Sequence, residues 1–309
     1  MRALRLLAEG GRAPKVDIVA VHGLNPKGKS VKEHAWDTWR KPSGQQGRLW
    51  LRDDLPQSLP EARIFLYEFD SRIFANKHET FWDAGNEFLD CLRGKRRSDR
   101  CRPLILVGHS LGGLLIKQAL VNAHDNAHYS DIESSVKGLV FFGTPHEGGN
   151  TQSAKVKLGF AAAKIAESLG FNSNDSIIQA LTPGSLFGDF LRESFRHQLE
   201  NYLIISFWEK KSTIVTKASA TFGLPGHREN ILGLEADHSN ICKFNTNEQD
   251  DQDIYESFVE HNFHWLYEEA MKDASFERRL KGLEFARHNA LQPSESRSEP
   301  EFATFGSSS

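Results

Sequence analysis

Leu104-Ile105-Leu106-Val107-Gly108-His109-Ser110-Leu111-Gly112-Gly113 passes from a wholly apolar run into a glycine-rich turn, and Leu114, Leu115, Gln118, Ala119 and Asn122 then follow at helical spacing. A short apolar run bounded by a turn signal reads as a strand buried on both faces. The turn is the pattern Gly-x-Ser-x-Gly, from Gly108 to Gly112. A serine that must project above the edge of a sheet sits on a sharp bend, and the residues two before and two after it must be small for the chain to double back. On this reading Ser110 is a nucleophile, and the backbone N–H of Leu111 faces the negative charge that develops beside it. The alternative is a glycine-rich strand-to-helix turn without chemistry; the strand before and the helix after favour the nucleophile.

Further short runs rich in β-branched and aromatic residues stand on either side: Val16 to Val21, Arg63 to Tyr67, Leu139 to Phe142, Tyr202 to Phe207 and Ile231 to Leu234. Helical or loop segments separate them, which predicts βαβ units and a mostly parallel central sheet flanked by helices. A helix is expected over 79–93, with Phe81, Trp82, Phe88, Leu89 and Leu92 as its apolar set. Another is expected after His238, with Tyr255, Phe258, Val259 and Leu266 on one face. Residues 147–200 are too many for an ordinary strand connection and carry apolar positions at helical spacing, so a helical cap is expected over the carboxyl edge of the sheet. The expected organisation is a single domain over 1–272 containing that cap, a helical extension over 273–287 and a disordered tail, rich in Ser, Pro and Glu, over 288–309.

Composition excludes several classes. Hydrophobic residues at 39% and charged residues at 26% are those of a globular chain. A formal charge of −3 lacks the basic excess of a phosphate-backbone binder, so nucleic acid is not an expected partner. Three scattered cysteines, Cys91, Cys101 and Cys242, make neither a disulfide framework nor a metal site, and an intracellular, reducing compartment is the simpler reading. No apolar run is long enough to span a bilayer, and no h-region for secretion is seen. Arg2, Arg5, Arg12 and Lys15 faintly resemble a mitochondrial transit segment, but the Val16 strand follows almost at once.

A serine nucleophile needs a base, which in a strand-turn-helix arrangement of this kind comes late in the chain. Of the 13 histidines, His238 lies in a polar turn directly after the last expected strand, at the edge where Ser110 also sits. The third member orients the imidazole and lies between the two in sequence. Glu209, after the strand ending at Phe207, is the first choice; Asp237, whose side chain is expected to point away from its neighbour His238, is second, and Asp189 third. A second oxyanion donor is expected from the turn after Val21, where His22-Gly23-Leu24 offers the N–H of Leu24. His109 is expected to pack beside the serine, and His146 to line the pocket. His124/His128 and His261/His264 read as solvated helix positions rather than metal pairs, and no metal or organic cofactor is required. The basic run Arg93, Lys95, Arg96, Arg97, Arg100 and Arg102 reads as a solvated loop, with anionic lipid contact as a minor alternative.

Taken together, Asp17 to Leu24, Trp50 to Pro56, Ala62 to Ile64 with Phe69-Asp70-Ser71, Gly108 to Gln118, Phe141 to His146 and Asp237 to Phe244 resemble the lipase-like α/β-hydrolases grouped as serine-active-site-containing (SERAC-type) proteins and GPI inositol deacylases. The chain is also similar to the N-terminal effector module of fungal NOD-like receptors, without a P-loop. The resemblance implies an α/β-hydrolase fold, a triad of Ser110, Glu209 and His238, and hydrolysis of a hydrophobic or lipid ester. It further implies association with mitochondria or endoplasmic reticulum, and leaves room for peripheral membrane contact. Glu147-Gly148-Gly149 stands where that family commonly has a basic residue. The reading from another class is a signalling module that keeps the fold while its catalysis is secondary or lost.

Overall fold

The computed structural model describes residues 2–26, 29–71, 81–146, 167, 191, 193–211 and 214–272. Most of the cap expected over 147–200, Asp189, Glu147 and its two following glycines, and the extension and tail over 273–309 lie outside these residues.

Nine strands are present among the described residues: β1 (Ala3–Ala8), β2 (Val16–Val21), β3 (Arg40–Lys41), β4 (Arg48–Leu49), β5 (Ala62–Glu68), β6 (Leu104–His109), β7 (Val136–Phe142), β8 (Leu203–Glu209) and β9 (Glu229–Leu234). The helices are α1 (Val31–Asp37), α2 (Trp50–Asp53), α3 (Leu55–Ser58), α4 (Phe81–Lys95), α5 (Leu111–Asp125), α6 (Ser130–Ser135) and α7 (Gln249–Ile254), the last running on through a π-helical segment, Tyr255–Glu260, and a helical stretch over 261–272. Seven strands form one sheet in the order β1-β5-β2-β6-β7-β8-β9. All neighbours are parallel except the β1–β5 pair. A parallel strand can rejoin its neighbour only by a crossover, so the helices are forced onto the two faces and the strands are buried on both sides.

Period-two alternation divides each strand between two cores. Val19, Val21, Leu106, Leu139 and Phe141 enter the core under α4 and α5. Ile18, Ala20, Val107, Val140 and Phe142 enter the opposite core, built around Trp39, Trp50, Tyr255 and Phe263. The run of 104–107 that reads as apolar without alternation is therefore buried throughout because both of its faces are covered.

Three expectations need correction. An unexpected edge strand precedes the buried strand β2: Ala3–Ala8 pairs antiparallel with β5, with Leu6 exposed. The basic segment is solvated only in part: Lys95, Arg97 and Arg100 are exposed, whereas Arg96 and Arg102 are buried on Asp17 of β2. Asp17 takes a bidentate pair from Arg63 at 2.8 and 2.9 Å, Arg96 at 2.5 Å and Arg102 at 3.2 Å. A fully buried carboxylate has to be paired, and the chain brings its counter-charges from three separate places. Finally, Phe258 is exposed, whereas Tyr255, Val259, Phe263 and Leu266 are buried. The π-segment causes this: wider turns put the i+4 rather than the i+3 neighbour on the buried face.

Candidate active site

β6 ends at His109 and α5 begins at Leu111, leaving Ser110 alone between them at φ 53° and ψ −125°. It is the one described non-glycine residue with positive φ, a conformation that costs about 1–3 kcal/mol and persists only where its surroundings enforce it. They do so here. The Ser110 N–H donates to the Phe142 carbonyl at 2.9 Å, extending the β6–β7 ladder by one residue. A Cβ on Gly112 would stand 2.3 Å from the Val21 carbonyl oxygen, and one on Gly23 would stand 2.9 Å from Ser110 Cβ. The bend thus closes directly against the end of β2, and Gly23 and Leu24 are brought beside the serine. Leu111, as the first residue of α5, contributes one of the amides that a helix leaves unbonded in its first turn.

His238 arrives from the turn that follows β9. Asp237 shapes that turn: its carbonyl accepts from the N–H of Asn240 and Ile241, and its Oδ1 accepts from the N–H of Ser239 and Asn240. The Asp237 side chain is exposed and engaged with its own turn, whereas His238 is buried. Glu209, the last residue of β8, faces the imidazole instead. His238 Nδ1 lies 2.7 Å from Glu209 Oε2, and His238 Nε2 lies 2.9 Å from Ser110 Oγ. Glu209 Oε1 accepts the Val215 N–H at 2.7 Å, so both carboxylate oxygens are occupied. A carboxylate only accepts, which puts the imidazole proton on Nδ1 and leaves the Nε2 lone pair toward the serine hydroxyl.

A cavity of about 110 Å³ opens over Ser110 and His238, bordered also by Leu24, Lys29, His34 and Lys243. Lys29 is paired with Asp37 at 2.6 Å, and that pairing holds the Asp37 carboxyl below its usual range against the opposing effect of burial. Three histidines around the site are held neutral chiefly by burial: His22 is pushed down to about 4, His34 to about 2 and His109 to about 3. His22 lies stacked on Phe69, its Nδ1–H donating to the Gly23 carbonyl at 2.8 Å, so it holds the shape of the turn that carries Leu24.

The sequence reading places Ser110, Glu209, His238, Gly23, Leu24 and Leu111, and the structure brings them to one edge of the sheet. His146 is set apart. It is not among the described residues lining the cavity; its ring stacks on Phe222 with centroids 3.9 Å apart and meets the edge of Phe141, and burial holds it well below the usual histidine range. Lys29, His34 and Asp37 were not anticipated. The signal available for them was a capping box: Ser30 accepts the Glu33 N–H at 3.2 Å, starting α1 and turning His34 toward the site.

No family model matches the chain. It is similar to Protein SERAC1 of Bos taurus, with 24% identity over 257 residues, covering 74% of this chain and 36% of the relative. With Protein SERAC1 of Homo sapiens the identity is 23% over the same coverage. The chain thus spans about a third of the length of these relatives. Among solved structures, lipase BlEst2 of Bacillus licheniformis in its mature form superposes with a TM-score of 0.48 at 18% identity, over 83% of this chain and 96% of that one. Through its parallel sheet with one antiparallel edge, its crossover helices and its strand-serine-helix bend, the chain has the α/β-hydrolase fold, on a sequence similar to that of the SERAC1 proteins.

Proposed function

We propose that the chain is a serine hydrolase of ester bonds. One observation carries this reading: Ser110 Oγ, His238 and Glu209 form a continuous hydrogen-bonded chain, with the serine held on a strained bend that frees its hydroxyl toward a cavity. Serine hydroxyls do not attack esters at neutral pH unless a base accepts their proton in the same step. In the proposed reaction His238 Nε2 takes the Ser110 proton as Oγ adds to the carbonyl carbon. Glu209 stabilises the resulting imidazolium, and the N–H groups of Leu111 and Leu24 receive the charge on the former carbonyl oxygen. Collapse of the tetrahedral adduct breaks the ester C–O bond, and His238 returns the proton to the departing alcohol. Water then repeats the sequence on the acyl-enzyme: His238 takes a proton from it, the acid leaves, and Ser110 regains its hydrogen.

Leu24, buried and apolar, borders the cavity together with Pro26, which supports a hydrophobic acyl group next to Ser110, in keeping with a lipid-like ester. Among the described residues no helix is long and apolar enough to cross a membrane.

Treatment with a fluorophosphonate probe tests the reading. The wild-type chain is expected to be labelled stoichiometrically at Ser110 and to hydrolyse p-nitrophenyl esters, while Ser110→Ala loses the label and roughly 10⁴-fold or more in kcat. Labelling that persists in Ser110→Ala would overturn the assignment.

A further inference from the structure

His109 stands next to Ser110 and reaches the same partner from the other side. Its Nε2 lies 2.9 Å from the main-chain carbonyl oxygen of His238, and the two rings lie 5.2 Å apart. Resting on the acyl-transfer reading, we propose that His109 is a positioning residue, whose Nε2–H, donated to the His238 carbonyl, ties the turn that carries the base to the strand that carries the nucleophile. Neighbouring residues thereby hold His238 at two points: Ser110 meets its imidazole and His109 its backbone.

The donor assignment follows from valence. A carbonyl oxygen can only accept, so the shared hydrogen belongs to His109 Nε2, and in a neutral ring Nδ1 keeps its lone pair. That Nδ1 has no hydrogen-bond partner among the described residues and faces Gly23, whose hypothetical Cβ would lie 3.2 Å from it. The neutral state is imposed mainly by burial, with the neighbouring His238 and Lys243 acting in the same direction and the bond to the His238 carbonyl against it. A neutral His109 has one hydrogen to give, it is spent on the carbonyl, and the ring does not compete for the proton that His238 takes from Ser110.

The tie matters because the turn's own bonds fix its shape but not its distance from β6. Asp237, Ser239 and Asn240 are exposed and bond among themselves. Past His238 the chain is next anchored at Cys242, whose carbonyl accepts Trp50 Nε1–H at 2.9 Å and whose thiol donates to the Thr38 carbonyl at 3.1 Å. The Ala236 carbonyl accepts the Lys211 N–H at 3.1 Å and Ile241 is buried, and between these points His109 supplies the contact on the main chain of His238 itself. A base displaced by about 1 Å can lose up to about a hundredfold in rate.

The experiment compares His109→Phe, which keeps a planar ring without the donor, with His109→Gln, whose amide nitrogen reaches the place of Nε2. With p-nitrophenyl acetate, His109→Phe is expected to lose about 10- to 100-fold in kcat with KM within about threefold, and His109→Gln to recover to within about threefold of wild type. The downfield proton resonance of the His238 Nδ1–H, sharp in wild type and in Ser110→Ala, is expected to broaden or vanish in His109→Phe and to return in His109→Gln. If phenylalanine prevents folding, as judged by circular dichroism, His109→Leu takes its place. Full kcat in a folded His109→Phe, or equal losses in Phe and Gln variants that both fold, would overturn the tie. A wild-type chain inert toward fluorophosphonate and ester overturns the hydrolase reading instead, and the Nδ1–H resonance then decides the tie on its own: unchanged in His109→Phe, it refutes it.

Discussion

Gly143 packs against the pair of His238 and Glu209. It follows β7, donates its N–H to the Phe207 carbonyl at 2.9 Å and adopts φ +53°. A Cβ there would stand 3.3 Å from His238 Nδ1 and 3.5 Å from Glu209 Oε2, against the hydrogen bond between base and acid. Gly143→Ala therefore carries two separable effects. The left-handed backbone costs about 1–2 kcal/mol, which a urea midpoint reads, and the crowding displaces the Glu209–His238 pair, which kcat reads. We expect a kcat loss of about tenfold or more beyond what partial unfolding accounts for; unchanged kcat in the folded variant would mean the pair has room to shift. At this scale the placement of the candidate site residues was legible where it depends on chain order. Ser110 and His238 follow strand ends and Glu209 closes one, and the preference for Glu209 over Asp237 rests on where neighbouring side chains point. What was not legible depends on contacts between distant residues: the bond from His109 to the His238 carbonyl joins positions 129 apart and involves a backbone atom, which no sequence pattern marks.

Among the strands, β2, β5, β6, β7 and β8 are buried on both faces, where an apolar run leaves one interpretation, and the half-buried edge strand β9 was read from its short apolar run as well. The misread elements were half-buried or irregular. β1 lies at the edge of the sheet with a burial pattern that includes exposed Arg5 and Leu6, so it shows no clean alternation. The helix after α7 slips its phase in the π-segment, and Phe258 leaves the buried face. Arg96 and Arg102 looked solvated because charge normally is; their counter-charge was 79 and 85 positions away in β2. That cluster joins β2, β5, α4 and the approach to β6 at the end of the sheet opposite the bend, and it makes a prediction of its own. Among the described residues Asp17 is the carboxylate that Arg63, Arg96 and Arg102 share, so Asp17→Asn takes that counter-charge from all three, Arg102 alone keeping Asp99 at 3.3 Å. A loss of about 3–5 kcal/mol in unfolding free energy is expected, with the Ser110 site unchanged in whatever fraction remains folded. A urea midpoint within error of wild type would show that those arginines reach solvent.

Among the described residues, four histidines, His22, His34, His109 and His146, titrate below the ordinary value, burial being the first cause in each. Their common sign has a consequence for stability. Above pH 6.5 neither state binds these protons, so they contribute no pH dependence. Below it the unfolded chain takes up protons that the folded chain refuses, until the pH reaches the folded values, about 4 for His22 and about 3 for His109. Unfolding free energy therefore falls as pH falls across that window. One unit of depression is worth about 1.4 kcal/mol, so several such groups acting together weigh against the ~5–15 kcal/mol of a typical domain. His124 works the other way, its value raised by the hydrogen bond to Glu133, but both its exposure and solvent screening keep that contribution small. Urea midpoints measured from pH 7.5 to 4.5 should accordingly hold steady above about 6.5 and drop steeply below it, with the folded state giving way before pH 4 is reached. His109→Gln, which cannot take up the proton in either state, should flatten the decline by about one proton's worth of slope, ~1.4 kcal/mol per pH unit. A midpoint that stays level down to pH 5 in the wild type would mean that water reaches these rings and that the cores on the two faces of the sheet are less closed than their packing indicates.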